Sequence, residues 1–202
     1  MMKLLSSPAS PYGRKVAMVA AMKGVSDRIE KHRIDTNPLV NEELRRENPL
    51  SKIPLLILED GRHVYDSPVI CEYLDSLSED PRLFPAGGPE RFRTLTLAAM
   101  ADGILDAALL LVYEKRFRPE DKWVDTWMQR QQLKVDTTLD WFEQSLPDLA
   151  AKPDYAHVTL ACALGYLDFR HGGTWRAKHP KLVAWLDAFE KAVPAFAATR
   201  PD

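Results

Sequence analysis

The sequence predicts an α/β domain followed by an all-helical domain. Three observations support this fold class. Short apolar runs alternate with helical patterns over the first 80 residues, and only long helical periodicities follow residue 90. Between them, residues 80–89 hold three prolines and two glycines, which is typical of a linker. We therefore expect a first domain over 1–79, a linker over 80–89 and a helical domain over 90–202.

The first elements follow from local signals. Residues 2–6 form a short apolar run and predict a strand. A helix is expected from Pro11 to Gly24, because proline suits the first turn of a helix and glycine suits the position just past its end. Residues 29–34 predict a second strand, and a short helical pattern surrounds 42–46.

A hairpin and a further helix complete the first domain. Two apolar runs, 53–58 and 62–65, flank an Asp-Gly pair, which is a strong hairpin signal. Ser67 is expected to cap the next helix, with Pro68 at its first position. The predicted order is βαβαββα.

The second half predicts helices over 90–115, 119–146, 157–169 and 181–193. The segment 157–169 is apolar almost all round, so we expect it to be the buried central helix.

Composition excludes several classes of protein. The chain has 202 residues, is 46% hydrophobic and 28% charged, and carries a formal net charge of −2, which argues against disorder and against nucleic-acid binding. Cys71 and Cys162 lie in apolar runs and predict buried, reduced thiols, too few for a zinc site. No apolar run approaches a membrane span and residues 1–7 are too short for a signal peptide, so we expect a cytoplasmic protein with no membrane contact and no metal.

Three segments of the first domain suggest a binding site. The first is 7–15, which joins a strand to a helix N-terminus, where N–H groups and the helix dipole favour an anion such as a thiolate. A serine hydroxyl there can donate a hydrogen bond to that anion. Alternatively, Ser10 is an ordinary N-cap.

The second segment is 48–54, and the third is 65–68. A proline that opens a strand can be cis and expose the backbone of the preceding residue, and Lys52 beside it suits a carboxylate. Ser67 at a helix start suits a carboxylate, and Asp66 suits an ammonium group. Taken singly, a trans proline with a solvated lysine and a plain helix cap explain the same residues.

Together, these segments resemble the glutathione transferase superfamily over nearly the whole chain. The resemblance is carried by Asn-Pro-x-x-Lys-Ile-Pro at 48–54, by the Asp-Ser pair at 66–67 and by the C-terminal pattern His-Pro-Lys-Leu-x-x-Trp with Val-Pro-Ala-Phe-x-x-Thr-x-Pro over 179–201. It is most similar to bacterial members with a Ser-Pro-Tyr turn. The resemblance implies a thioredoxin-like first domain and glutathione as co-substrate.

The resemblance also implies roles for residues. Ser10 matches the thiolate-activating serine or catalytic cysteine of the family, and Ser7 is the weaker alternative. Ile53 would pair through its backbone with the cysteinyl part of glutathione, before a cis Pro54. The remaining assignments are Lys52 to the glycyl carboxylate, Asp66 and Ser67 to the γ-glutamyl end, Tyr12 to the acceptor side, and Asp102 to a partner subunit's glutathione.

The implied mechanism activates the glutathione thiol for attack on a small electrophile. The acceptor pocket would be lined by 7–12 and 109–117, with Tyr113, Phe117 and Trp123 as aromatic walls or as ordinary core. A serine at position 10 argues against a mixed disulfide through the protein, which needs cysteine there. Two alternatives stay open: a non-catalytic binding module on the same fold, and a glutathione-dependent peroxidase or isomerase.

Two further expectations concern the helical half. The apolar residues on both sides of the first long helix are consistent with a homodimer. The family begins its central helix with a Ser/Thr-x-x-Asp capping box, whereas this chain has Asp154 and His157 at the matching positions. Asp154 can still cap a helix, but His157 is an unusual reciprocal partner.

Overall fold

The structure is a computed structural model that describes residues 1–37, 40–146 and 152–201. The chain separates into two compact units. One comprises Met1–Phe84 together with the segment that begins at Ala195, and the other comprises Pro85–Pro194.

The first unit has the predicted order βαβαββα. Its elements are β1 (Met2–Ser6), α1 (Pro11–Met22), β2 (Ile29–Arg33), α2 (Glu42–Glu47), β3 (Leu55–Ile57), β4 (His63–Val64) and α3 (Ser67–Asp75). This thioredoxin-like arrangement confirms the predicted fold class.

The sheet has the strand order β2-β1-β3-β4. β1 pairs in parallel with β2 and antiparallel with β3, where Leu5 lies opposite Leu55. β3 pairs antiparallel with β4, where Leu56 lies opposite Val64. The C-terminal ends of β1 and β4 therefore meet the N-terminal end of β3 at one edge of the sheet.

The predicted hairpin joins β3 to β4. The Leu58 N–H donates to the Arg62 carbonyl at 2.8 Å, and the Gly61 N–H donates to the Leu58 carbonyl at 3.0 Å. Gly61 has φ 82°, which a glycine adopts without the steric cost that other residues incur. The Asp-Gly signal thus predicted this turn correctly.

A buried ion pair fastens the chain that follows α3. Lys23 Nζ lies 3.0 Å from Asp75 Oδ1 and donates to the carbonyls of Ser78 and Pro81. The Asp75 carboxylate in turn accepts the N–H groups of residues 83–84 at 2.9 and 3.1 Å. Both charges are therefore hydrogen-bonded, which buried charges require.

The second unit consists of α4 (Gly88–Phe117), α5 (Asp125–Gln144), α6 (Tyr155–His171) and α7 (Pro180–Ala192). The all-helical prediction is confirmed, and α6 is its central helix, with every residue from Tyr155 to Leu167 buried. Both cysteines are buried and neither is in a disulfide.

The start predicted for α5, at Pro119, is wrong. Residues 120–122 form a short 3-10 helix, and α5 begins only at Asp125. The buried Glu114 carboxylate accepts the Val124 N–H at 3.3 Å, so a side chain of α4 holds the first residue before α5. Glu114 and Val124 are ten residues apart in sequence, so the local pattern around the start of α5 does not predict this contact.

The C-terminal segment, with the four-residue helix α8 (Ala195–Ala198), groups with the first unit rather than with the helical one. Buried Arg14 of α1 explains this. Its Nη2 donates to the Phe196 carbonyl at 2.8 Å, its Nε lies 3.4 Å from Thr199 Oγ1, and its guanidinium lies 4.1 Å from the centre of the Phe196 ring. The predicted helical domain of 90–202 is therefore too long at its C-terminal end.

The N-terminus of α6 carries a complete capping box. Asp154 Oδ1 accepts the His157 N–H at 3.1 Å, and His157 Nδ1 lies 3.1 Å from Asp154 N and 2.5 Å from Asp154 Oδ1. Thr94 of α4 donates its hydroxyl to Asp154 Oδ2 at 2.6 Å. A histidine therefore takes the reciprocal position at which the resemblance implies an aspartate.

The helix α4 has a composition that a membrane span would also have. It is the one helix in the described ranges that is long and apolar enough, by length and composition, to cross a membrane. Core helices of folded units meet the same criterion. α4 packs against both α5 and α6, and residues such as Ala101, Ile104 and Ala108 are buried there.

Candidate functional site

The three predicted site segments meet at one edge of the sheet in the first unit. Residues 7–10 follow the end of β1, residues 48–54 lead into β3, and residues 65–67 follow the end of β4. Because β3 runs antiparallel to both β1 and β4, these three segments share the same sheet edge. The sequence motifs are therefore brought together by strand topology.

The first segment is a turn that ends in a helix cap. The Ser10 N–H donates to the Ser7 carbonyl at 2.9 Å, and Ser10 Oγ accepts the Gly13 N–H at 3.1 Å. Ser10 is thus the N-cap of α1, as the plainer interpretation of the motif expected. In its bond to the Gly13 N–H, the Ser10 hydroxyl is the acceptor and uses a lone pair. Its O–H can therefore still donate a hydrogen bond to another group.

Gly13 allows β1 to approach α1 closely. A Cβ atom on Gly13 would lie 2.0 Å from Ser6 Oγ, 3.3 Å from Ser6 Cβ and 3.5 Å from Ser10 Cβ. A side chain at position 13 therefore forces Ser6 to move. This close approach holds the end of β1 against the first turn of α1.

Asn48 organises the second segment. Its Nδ2 donates to the Lys52 carbonyl at 2.9 Å, and its Oδ1 accepts the Leu50 N–H at 3.0 Å. The side chain is buried, with 1% exposure, whereas the Lys52 side chain is exposed. No role was predicted for Asn48 from the sequence. The signal for its role in organising this loop is an asparagine that precedes a proline at the start of the loop.

Ile53 presents its backbone at the sheet edge. Its side chain packs against the buried cluster Leu5, Ile34, Leu44 and Leu55, and its peptide bond to Pro54 is cis, as expected. Among the described residues, no hydrogen-bond partner is found for the Ile53 N–H or carbonyl. Both groups can therefore pair with an extended ligand, in the manner of strand addition.

The third segment corrects one prediction. Ser67 is the first residue of α3 and Asp66 is its N-cap, so the helix begins one residue earlier than expected. Ser67 is buried, with 2% exposure, and its N–H belongs to the first turn of α3. The Asp66 side chain makes no capping hydrogen bond and is exposed, which leaves its carboxylate available to a cationic group.

This edge of the sheet therefore brings together four chemical groups of the first unit. It has a hydroxyl at the start of α1, an open backbone pair at Ile53, a cation at Lys52 and a carboxylate beside the α3 start at Asp66. Such a set suits an elongated peptide-like molecule that carries charges at both ends. Across the described residues, no three His, Cys, Asp or Glu side chains are placed to hold a metal ion.

The remaining predicted site residues are divided between the two units. Ser7 and Tyr12 are half-buried residues of the first segment and of the first turn of α1. Asp102 is half-buried on α4, in the second unit. Of the predicted aromatic walls, Tyr113 and Trp123 are half-buried and Phe117 is 57% exposed.

Comparison with protein-family models matches both halves of the chain. The glutathione S-transferase N-terminal domain matches residues 9–77, and the glutathione S-transferase C-terminal domain matches residues 125–188.

The chain belongs to the glutathione S-transferase family. It is 34% identical to the uncharacterized GST-like protein YibF of Escherichia coli, over 99% of this chain and 98% of that protein. Among glutathione transferases of known structure, it is similar to a family member from Pseudomonas fluorescens Pf-5 with bound glutathione, at 40% identity, full coverage of both chains and a TM-score of 0.96.

A second glutathione transferase structure, from Methylobacillus flagellatus KT with glutathione bound, is 36% identical, covers both chains fully and has a TM-score of 0.88. These comparisons establish the family and the fold. The serine-type assignment and the residue roles stay predictions.

Proposed function

We propose that this chain binds glutathione along the sheet edge and activates its thiol for attack on small electrophiles. The observation that carries the proposal is the juxtaposition of the Ser10 hydroxyl with the open backbone pair of Ile53 at one sheet edge. Solved relatives of similar sequence bind glutathione, which supports the choice of ligand.

The charges of the edge match those of glutathione. The cysteinyl part would pair with the Ile53 backbone, and the glycyl carboxylate would meet Lys52. The γ-glutamyl end carries an ammonium group for Asp66 and a carboxylate for Ser67 and the N–H groups at the start of α3, which favour anions. Each end of the ligand therefore meets a group of complementary charge.

Ser10 would stabilise the thiolate. A free thiol has a pKa of ~8.5, and lowering it by two units requires about 2.7 kcal/mol. A hydrogen bond to a charged group contributes about 1.5–3 kcal/mol, and a helix N-terminus contributes about 0.3–1 kcal/mol. The hydroxyl and the α1 N-terminus together supply that magnitude. The Gly13 N–H bond to Ser10 Oγ polarises the hydroxyl further.

The chemistry would be a nucleophilic substitution or addition. The thiol proton leaves to water, and the sulfur then forms a C–S bond with the electrophile. With an aryl halide, the carbon–halogen bond breaks and halide departs. Ser10 never forms a covalent bond in this scheme; it holds the sulfur as an anion.

Binding is tested by titrating glutathione calorimetrically into wild type, Asp66→Asn and Lys52→Gln. We expect each substitution to weaken binding roughly tenfold, because a charge pair at the ligand is lost. Lys31→Gln, an exposed lysine on β2, is the matched control and should bind like wild type. If wild type shows no binding, or the control loses as much affinity as Lys52→Gln, the proposed site is wrong.

Catalysis is tested with glutathione and chlorodinitrobenzene. Wild type should turn over, and Ser10→Ala should lower kcat by roughly tenfold or more with little change in glutathione affinity. Tight glutathione binding without turnover of aryl halides, hydroperoxides or isomerisable substrates would instead favour the non-catalytic module.

Two further assignments belong to this proposal. We expect a homodimer, because Phe92 and Leu110 on α4 are 69% and 39% exposed; light scattering measures this directly. The proposed role of Asp102, which is to contact the glutathione of a partner subunit, requires such a dimer. We further expect the protein to work in the cytoplasm, where glutathione is abundant and reduced.

A further inference from the structure

Tyr166 brings a hydroxyl group into the helical unit from its central helix, α6. Its side chain is buried, with 4% exposure, and its ring packs against the His171 ring with the ring centres 6.2 Å apart. Within the described ranges, no group forms a hydrogen bond with the Tyr166 hydroxyl, although a buried tyrosine usually has such a partner. The hydroxyl oxygen is not fully enclosed, so a ligand can reach it.

The charged groups that act on this hydroxyl are cations. Arg170, on the same helix, and Arg116, on α4, act on it electrostatically, together with the Tyr113 side chain of α4. Burial outweighs the opposite effect of the two arginines and raises the pKa of Tyr166 to about 12. The hydroxyl is therefore protonated at neutral pH and can donate a hydrogen bond, and the arginines beside it favour an acceptor that carries negative charge.

The carboxylates nearest in sequence to these arginines pair with other cations. Asp168 binds Arg176 through both of its oxygens, at 2.9 and 2.7 Å. The buried Glu114 carboxylate lies 3.3 Å from Arg118 Nε. The exposed Arg170 side chain makes no ion pair with any residue that the structure describes. Its charge is therefore available to an anionic ligand.

Aromatic rings accompany the two arginines. The Tyr113 and Phe117 rings of α4 meet edge to face with their centres 5.1 Å apart, and Phe117 is 57% exposed. The Arg116 guanidinium lies 5.1 Å from the centre of the Phe117 ring. The Arg170 guanidinium lies 4.1 Å from the centre of the Phe169 ring. The exposed Phe117 ring offers a surface on which a second aromatic ring packs favourably.

We propose that this cluster of the helical unit binds a small aromatic carboxylate. The carboxylate would accept hydrogen bonds from the Tyr166 hydroxyl and the Arg170 guanidinium, and the aromatic ring would pack against Phe117. A neutral aromatic compound lacks the charge that the arginine recognises, and a small aliphatic acid lacks the ring, so neither matches both parts. All the residues of this site belong to the helical unit, and the proposal stands whether or not the chain transfers glutathione.

The test is a titration of wild type and two variants with benzoate, in the absence of glutathione, followed by ligand-observed NMR. We expect Tyr166→Phe to bind benzoate roughly tenfold more weakly, because a hydrogen bond to a charged group is lost while the ring stays. Arg170→Gln should weaken binding by a similar factor, because the attractive charge is lost. Both variants should unfold at the wild-type temperature, since neither side chain has a hydrogen bond or ion pair to lose within the described ranges.

Each variant has a matched control. Tyr73→Phe removes a hydroxyl from a half-buried tyrosine of α3, and Arg130→Gln removes a charge from an exposed arginine of α5. Both controls should bind benzoate like wild type. Wild type should also bind benzoate roughly tenfold more tightly than benzamide, its neutral isostere, and Arg170→Gln should reduce that preference. The proposal is overturned if benzoate does not bind wild type, if the variants bind it no more weakly than their controls, or if benzamide binds as tightly as benzoate.

Discussion

The N-termini of α1 and α6 begin with the same local device and differ in what surrounds it. Ser10 Oγ and Asp154 Oδ1 each accept the N–H of the third helical residue at 3.1 Å. Around Asp154, Thr94 and His157 supply further protein partners. Around Ser10, the segment follows the end of β1 at the sheet edge shared with β3, and the Ser10 O–H can donate to another acceptor.

The difference shows how one capping motif serves either stability or chemistry. The Asp154 box closes on itself and starts the central helix of the helical unit, whose first 13 residues are all buried. The Ser10 hydroxyl caps α1 as an acceptor, and its O–H can donate to a ligand. We therefore expect substitutions at Asp154 to reduce mainly folding stability and substitutions at Ser10 to reduce mainly activity.

The largest expected effect is on stability, from Asp154→Ala. It removes the cap of α6 and leaves the Thr94 hydroxyl, which is buried, without its partner, for a loss of about 2–3 kcal/mol in the free energy of unfolding. Urea denaturation measures it. Asp154→Asn keeps an acceptor oxygen and should lose less. If Asp154→Ala lost less free energy of unfolding than Ser10→Ala, the Asp154 cap would not be the more structural of the two.

A smaller effect is expected from Gly13→Ala. The new Cβ meets Ser6 Oγ and Ser6 Cβ, so the strand and helix must separate or Ser6 must rotate, at a cost of about 1–2 kcal/mol. The double variant Ser6→Ala, Gly13→Ala removes the nearest atom and should recover most of that loss in thermal denaturation. An equally unstable double variant would show that the close approach to Ser6 is not the cause.

Ser10→Ala should lower stability by only about 1 kcal/mol, since it removes one cap of an otherwise well-packed helix. The fold should persist by circular dichroism, which makes its activity interpretable. Ser10→Thr keeps both the cap and the hydroxyl and serves as the control. A collapse of the fold in Ser10→Ala would mean that the two caps are equally structural.

The smallest expected effect is the acid dependence of the Asp154 box. Burial on its own raises the pKa of Asp154, but hydrogen bonds from His157 and Thr94 outweigh it, so the pKa is lowered overall. A lowered folded-state pKa means that this stabilisation is complete above the unfolded-state pKa of about 3.9 and is lost as the pH falls through the folded-state pKa.

The measurement is the difference in unfolding free energy between wild type and Asp154→Asn as a function of pH. That difference should be constant near neutrality and shrink below about pH 4. A difference that grows as the pH falls would contradict the sign of the pKa shift.

Local patterns predicted much of the fold. The Asp-Gly turn at 60–61, the proline at the start of α1 and the apolar run of α6 each depend on neighbouring residues, and each was predicted correctly. The capping role of Asp154 was also visible, because its partner at position 157 is only three residues away.

Two errors arose where distant residues decide the structure. The late start of α5 depends on Glu114, and the grouping of the C-terminal segment with the first unit depends on Arg14. The positions of Lys52 and Asp66 at one edge follow from the antiparallel pairing of β3 with its two neighbours. Their roles toward glutathione stay predictions, since neither strand pairing nor family membership assigns them.

The most direct test of the account is the pKa of the glutathione thiol when it is bound, followed by the ultraviolet absorbance of the thiolate. In wild type we expect a pKa about two units below the free value of ~8.5. In Ser10→Ala it should rise by about one unit or more, the equivalent of one hydrogen bond to a charged group, while Ser7→Ala should stay at the wild-type value. If glutathione binds Ser10→Ala with an unchanged thiol pKa, Ser10 is only a helix cap and the central claim is wrong.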